Sequence, residues 1–134
     1  MNKVVWAATI VLAFQITNPT FSKAQTDSMK KGFKASCVDV KGMDYRSGEW
    51  GKDGYSGQLY VIIFEGGETF QETQAEFPYF VTYLSDTAIV GTGNYKSFAY
   101  LMSLNKKSGE MMLSRLGGGG LGSLFVGNCK FRFN

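Results

Sequence analysis

The stretch that decides the fold reads KSFAYLMSL (96–104), NKKSG (105–109) and EMMLSRL (110–116). In its first part, every second position holds a large side chain, namely Phe98, Tyr100, Met102 and Leu104. This is the period of a β-strand with one apolar face. The polar middle part ends in Gly109, which can adopt the positive φ that closes a short hairpin loop. The last part then runs back beside the first. The sequence therefore predicts a hairpin here, and with it an antiparallel β protein.

Strand-like segments also lie on both sides of this hairpin. Predicted strands cover residues 34–41, 58–65, 68–73, 79–84, 87–92 and 123–133. The apolar run at 58–65 is typical of a strand buried on both faces, and the charged segment at 68–73 is typical of an edge strand. We predict an all-β fold, an antiparallel meander of seven or eight strands that forms a small barrel or a sandwich.

The N-terminus has the pattern of a signal peptide. Lys3 supplies a positive charge, and residues 4–16 form an uncharged, mostly apolar run of 13 residues. Small residues at positions 22 and 24 suit a signal peptidase, so cleavage before Gln25 is expected. A membrane anchor is the alternative, but 13 residues rise only about 20 Å as a helix, less than the roughly 30 Å hydrocarbon core. We predict a signal peptide over residues 1–24 and a periplasmic or secreted protein.

The remaining residues, 25–134, are enough for one β domain. Loss of Lys3 and Lys23 takes the net charge from +3 to +1. A nearly neutral chain gives no reason to expect nucleic acid as a partner. No second apolar run is long enough to span a membrane. The expected partner is an unknown protein or envelope component.

The chain has two cysteines, Cys37 and Cys129, one near each end of the predicted domain. In an oxidising compartment they would form a disulfide that ties the first strand to the last. The alternative is two free thiols, one of them reactive. Because the sequence has no histidine to activate a thiolate, we predict the disulfide.

Residues 42–57 contain five glycines, with Tyr45, Trp50 and Tyr55 among them. This composition predicts a long surface loop or a loose hairpin, where binding residues are often found. In the first strand before it, alternation places Val38 on the same face as Val40, with Cys37 and Asp39 on the other face.

Three groups of residues are candidates for chemistry. Asp44, Glu49 and Asp53 do not have the spacing of a calcium loop, which predicts solvated charges and no metal site. The glycines at 117, 119 and 122 have the spacing of a dinucleotide loop but precede a strand, which predicts a flexible loop and no cofactor. Without histidine, the usual proton shuttles are missing, so we predict that the protein is not an enzyme. A pair of distant carboxylates that acts as a small hydrolase is a remote alternative.

Two stretches resemble known groups of proteins. The first is LNKKSG at 104–109, which together with GNC at 127–129 resembles small exported bacterial β-domain proteins of unassigned function. That resemblance covers about the last quarter of the chain and implies fold and compartment.

The second resemblance lies in SGQLY at 56–60, which is similar to the Ser-Gly-x-x-Tyr motif of bacterial inhibitors of c-type lysozyme. Those proteins are small exported barrels with a disulfide between early and late strands, and the resemblance implies that Ser56 and Tyr60 meet the enzyme's cleft. The Trp and Lys-Gly that follow the family motif are absent, since residues 61–67 read VIIFEGG. The alternative is a turn at Ser56 and strand packing by Tyr60.

These observations together predict an exported single-domain protein that acts by binding, with candidate binding residues Tyr45, Trp50, Tyr55, Ser56 and Tyr60. A periplasmic inhibitor of c-type lysozyme is the alternative.

Overall fold

The computed structural model describes residues 31–46, 48–52 and 57–134. These residues form nine β-strands and no helix, and every pair of neighbouring strands is antiparallel. The strands are β1 (Phe33–Arg46), β2 (Glu49–Lys52), β3 (Tyr60–Phe64), β4 (Thr69–Glu72), β5 (Tyr79–Leu84), β6 (Ala88–Tyr95), β7 (Phe98–Asn105), β8 (Glu110–Gly117) and β9 (Leu121–Phe133). The all-β prediction is confirmed.

Eight of the described strands close into a barrel. The meander runs from β3 to β9, and β1 closes it by pairing with β9 on one edge and with β3 on the other. Phe33 therefore lies opposite both Phe64 and Phe133. The extra strand, β2, folds back on the C-terminal part of β1. Of the two predicted architectures, the structure is the barrel.

The predicted disulfide is also confirmed. Cys37 and Cys129 face each other across β1 and β9, with their Cα atoms 3.8 Å apart. The bond links the two strands that close the barrel, so it fastens the closure itself.

The central hairpin forms as predicted between β7 and β8. Gly109 has a φ of 80°. The side-chain oxygen of Asn105 accepts hydrogen bonds from the backbone N–H groups of Lys107 and Ser108, at 2.9 and 3.0 Å. This local bonding satisfies the loop backbone and sets the register of the hairpin.

The first strand differs from its prediction in length and in its faces. It continues to Arg46 and pairs with β2, so of the two predictions for residues 42–57 the hairpin is confirmed there and the long loop is wrong. A bulge interrupts its pairing with β9 between Val38 and Lys41, and Asp39 adopts a φ of 54°. The extra residue makes Val38 exposed and Val40 buried. The prediction that these two valines share a face is wrong.

Barrel closure corrects two further predictions. β3 alternates between buried and partly exposed residues, because one face of a barrel wall points outward. The prediction that this strand is buried on both faces is therefore wrong. β4 lies between β3 and β5, so it is not an edge strand, and its Glu72 is buried. The glycine-rich segment connects β8 to β9 over residues 118–120, with φ near 75° at Gly119 and Gly120.

Interior side chains form rows across neighbouring strands, and the rows differ in polarity along the barrel. One row is Gly91, Met102, Leu113, Phe125 and Gly42, and the next is Ile89, Leu104, Met111 and Gly127. Beyond them, the ring of Phe33 packs against Phe64 and Phe131 at centroid distances of 5.5 and 5.2 Å. Burying such a side chain contributes roughly 1.5–3 kcal/mol. We call this packed half, where β1 begins, the closed end.

Candidate functional site

The opposite half of the barrel, which we call the open end, carries polar side chains inside. The row above the apolar rows runs through Gly93, Tyr100, Arg115, Ser123 and Asp44, on five successive strands from β6 round to β1. Two residues along β7, β8 and β9, polar side chains therefore replace the Met, Leu and Phe of the neighbouring apolar row. Such a change inside a barrel indicates a site, because buried polar groups reduce stability unless they find partners.

A cavity of about 290 Å³ lies at this end. Its walls contain six aromatic side chains together with polar groups from the strand ends and loops. The lining residues are Gln58, Tyr60, Glu72, Gln74, Ala75, Glu76, Phe77, Tyr79, Tyr95, Tyr100, Leu113, Arg115 and Phe125. Gln74 and Glu76 are exposed, so the cavity opens to solvent between the loops. Its buried part rests on Leu113 and Phe125, the first apolar row.

Glu72 is the buried carboxylate of this cavity, with only 4% of its surface exposed. It is the last residue of β4 and shares the inward face with Phe70. The backbone N–H of Gln74 donates a hydrogen bond to its Oε1 at 3.0 Å. Burial raises the pKa of Glu72, although the backbone N–H groups at Gln74, Ala75 and Val61 act in the opposite direction.

Four tyrosines line the same cavity as this carboxylate. Burial, and next the negative charge of Glu72, raise the pKa of Tyr79, so its hydroxyl stays neutral at physiological pH. Tyr60 packs against Phe125 with ring centroids 6.3 Å apart. The hydroxyl of Tyr95 donates a short hydrogen bond to Glu76 on the rim. The cavity thus combines electron-rich rings, hydroxyl groups and two carboxylates.

The connection between β4 and β5 covers one side of the cavity through Phe77. The Phe77 ring lies 4.6 Å from Tyr100, 5.1 Å from Tyr79 and 5.7 Å from Tyr95, measured between centroids. The Gln71 amide holds this connection by donating to backbone oxygens of residues 72, 75 and 77. The Gln74 amide donates to the Leu59 oxygen at 2.8 Å, which links the connection to the segment before β3.

A charged network lies beside the cavity. Asp44 is 8% exposed, and its carboxylate accepts a short hydrogen bond from the Ser123 hydroxyl. The Arg115 guanidinium donates to Ser123 at 2.7 Å and lies 3.6 Å from Asp44, while Arg46 binds Asp44 from the solvent side at 2.9 Å. The prediction of a solvated charge at Asp44 is therefore wrong. The continuation of β1 turns this residue inward, toward Arg115.

The predicted binding residues fall in different places. Tyr60 lies in the cavity and is 7% exposed. Tyr45 and Trp50 face each other on the β1–β2 hairpin, outside the closed barrel, with ring centroids 5.3 Å apart. Trp50 is 57% exposed. Tyr55 and Ser56 lie outside the described residues, as does Asp53.

Sequence reasoning missed most of the cavity residues. The missed residues are Glu72, Phe77, Tyr79, Tyr95, Tyr100, Arg115 and Phe125. A signal was available, because Tyr79 begins one predicted strand and Tyr95 follows the next, and in a meander such positions meet at the same end. Glu72 likewise follows the apolar Phe70 by two residues, which places both on one face.

A larger groove, of about 610 Å³, lies on the outer wall near the bulge in β1. Most of its lining residues are exposed, among them Asp39, Lys41 and Glu110. It lacks the buried polar groups of the cavity.

Two features are not found in the described ranges, namely a cluster of metal-ligating side chains and a helix that could span a membrane. Across them, no group of three or more His, Cys, Asp or Glu side chains comes together as metal ligands would. A helix long and apolar enough to cross a membrane is also not found in that part of the chain. Comparison of the chain with protein families, curated proteins and solved structures gave no match.

Proposed function

We propose that this protein is an exported binding protein whose barrel takes a small ligand at its open end. The observation that carries the proposal is the cavity, which is apolar at its base and polar at its mouth. Known small-molecule sites combine predominantly apolar walls with a few placed polar groups, in volumes of about 300–1,000 Å³. The cavity of about 290 Å³ lies close to the lower limit, which favours a ligand of few atoms.

Export is part of the same proposal. The signal-like pattern over residues 1–24 and the Cys37–Cys129 bond support it, since disulfides persist in oxidising compartments. The ligand would then come from the periplasm or the surroundings of the cell. Binding is favoured over catalysis because the sequence has no histidine and both cysteines are bonded to each other.

A pair of bulky substitutions tests the cavity as a binding site. Ala75 lines the cavity, whereas Ala99 is exposed on the outer face of β7. We expect small molecules screened by NMR to shift the ring resonances of Tyr60, Tyr79 and Tyr100, and Ala75→Trp to abolish those shifts. Ala99→Trp adds the same bulk outside the barrel and serves as the control. Ligands that bind Ala75→Trp and the unmodified protein equally would refute the cavity proposal.

The β1–β2 hairpin supports a second candidate, a macromolecular partner such as a protein or an envelope component. Its aromatic pair, Tyr45 and Trp50, stands outside the barrel, and exposed aromatic anchors often dominate interfaces. Pull-down from an envelope extract with the unmodified protein and with Trp50→Ala tests this candidate. Recovery of the same partners by both proteins would remove it.

Inhibition of c-type lysozyme remains as the alternative from the Ser-Gly-x-x-Tyr resemblance. A barrel with a disulfide between its first and last strands is consistent with that resemblance. Against it, Tyr60 is packed on Phe125 and turned into the barrel. An inhibition assay with stoichiometric protein, repeated with Ser56→Ala, tests the alternative. We expect no inhibition.

A further inference from the structure

We infer that the ligand of the open-end cavity is a small organic cation, an ammonium compound of the size of choline. This inference rests on the proposed function and deepens it by naming the chemical class. It is carried by one juxtaposition: a buried carboxylate, Glu72, within a wall of aromatic rings.

Aromatic side chains make up much of the cavity wall. Six of the thirteen lining residues are aromatic, and four of those six are tyrosines. Phe77 lies within 5.7 Å of three of these tyrosines, measured between ring centroids, so the rings form one continuous group. Aromatic faces attract cations through their quadrupole, and cages of such rings recognise quaternary ammonium groups.

Two carboxylates accompany the rings. Glu72 is buried beside the tyrosines, and Glu76 stands at the rim, bonded to Tyr95. A carboxylate of this kind loses hydration on burial, and a bound cation would restore a counter-charge. The raised pKa of Glu72 is consistent with a charge that lacks full compensation in the unliganded protein.

Arg115, the arginine among the described residues that line the cavity, offsets only one of the two glutamate charges. Its guanidinium interacts with Asp44 and Ser123, and its central carbon lies 5.2 Å from the centre of the Phe98 ring. Arg46 lies closer to Asp44, at 2.9 Å, so the two arginines and Asp44 together carry one positive charge. The charged residues that line the cavity are two glutamates and one arginine, an excess of one negative charge.

Three probes of the same shape isolate the charge of the ligand. Choline is positive. The alcohol 3,3-dimethylbutan-1-ol replaces its ammonium nitrogen with carbon and is neutral, and the carboxylate 3,3-dimethylbutanoate is the negative counterpart. Titrated calorimetrically into the purified protein, choline is expected to bind about tenfold tighter than the alcohol, the scale of a desolvated cation–π contact with a nearby carboxylate. The anion is expected to bind most weakly.

Two matched variants locate the charge effect. Glu72→Gln keeps the size and one acceptor of the side chain, and we expect it to remove most of the preference for choline over the alcohol. Glu65→Gln makes the same charge change at an exposed site at the closed end and should leave the preference intact. If Glu72→Gln does not fold, Tyr100→Leu removes one ring of the wall and should reduce the preference as well.

The outcomes separate the inference from the proposed function. Equal or tighter binding of the alcohol or the anion overturns the cation inference and leaves the cavity as a binding site. Failure of choline to bind at millimolar concentration also overturns it. Equal small-molecule binding by Ala75→Trp and the unmodified protein in the NMR comparison refutes the cavity as a binding site, and the cation inference with it. A preference for choline that survives in Glu72→Gln contradicts the assigned role of that carboxylate.

Discussion

Gly93 in β6 lies directly against the ring of Phe77, so closely that a Cβ atom at residue 93 would overlap with the ring. Phe77 belongs to the connection between β4 and β5, and its ring closes one side of the cavity. The absence of a side chain at Gly93 is therefore what allows the ring to lie over the open end of the barrel.

The first prediction follows from that contact. Gly93→Ala should force the Phe77 ring outward and lower the free energy of unfolding by about 1–3 kcal/mol, the usual cost of overpacking. Gly118→Ala is the control, because nothing lies within 4 Å of a Cβ atom at that position. Chemical denaturation measures both. Equal stabilities for the two variants would contradict the close packing of Phe77 on β6.

The second prediction concerns the bond that closes the barrel. Cys37 and Cys129 are separated by 92 residues, and in the chain-entropy model closing so long a loop contributes roughly 4–5 kcal/mol. We expect replacement of both by alanine to lower the free energy of unfolding by about 2–5 kcal/mol. Mass measurement after alkylation should find no reactive thiol in the unreduced protein. Two alkylated thiols without reductant would show that the bond is absent.

The hairpins and the all-β fold could be predicted because their signals are local. The alternation in residues 98–104 and the polar loop at 105–109 lie within one short segment. The disulfide could be predicted because the chain has two cysteines and no alternative pairing. The faces of the first strand could not be predicted, because the bulge at Asp39 depends on how β1 pairs with β9. These two strands are distant in sequence.

The cavity was harder to predict for the same reason. Tyr79, Tyr95 and Tyr100 each look like ordinary strand residues, and only closure of the barrel brings them round Glu72. Glu72 itself looked like a charge on an edge strand, because local sequence does not show whether a strand has neighbours on both sides. Asp44 looked solvated because the continuation of β1 beyond the bulge has no local signal.

The third prediction separates the two arginine contacts of Asp44. Asp44→Ala removes the acceptor of the buried Ser123 hydroxyl and the anion beside Arg115, so we expect a loss of about 1–3 kcal/mol in the free energy of unfolding. Arg46→Ala removes a partner of Asp44 whose side chain is 71% exposed. This substitution should lower the free energy of unfolding by less than about 1 kcal/mol. Thermal unfolding of both variants checks the difference. An equal loss in both would place the main stabilising contact at the surface.

The fourth prediction concerns the pH dependence that Glu72 gives to stability. Its carboxylate interacts electrostatically with Tyr79, and it shares the cavity with Tyr60, Tyr100, Glu76 and Arg115. Because burial raises its pKa in the folded state above the ordinary value of 4.5, the folded protein holds this proton more tightly than the unfolded chain. Its contribution to stability is therefore greatest in acid, and is lost as pH rises through the raised pKa.

Glu72→Gln, which cannot ionise, should consequently be more stable than the unmodified protein at neutral pH. The difference should shrink as the pH falls through the raised pKa of Glu72, because the unmodified carboxyl then becomes neutral as well. Denaturation curves across the acid range measure it, with Glu65→Gln as the exposed control. A constant difference at every pH would contradict the prediction. A gain in stability that accompanies the loss of the preference for choline would indicate that the fold keeps Glu72 ionised at a cost, as ligand sites commonly do.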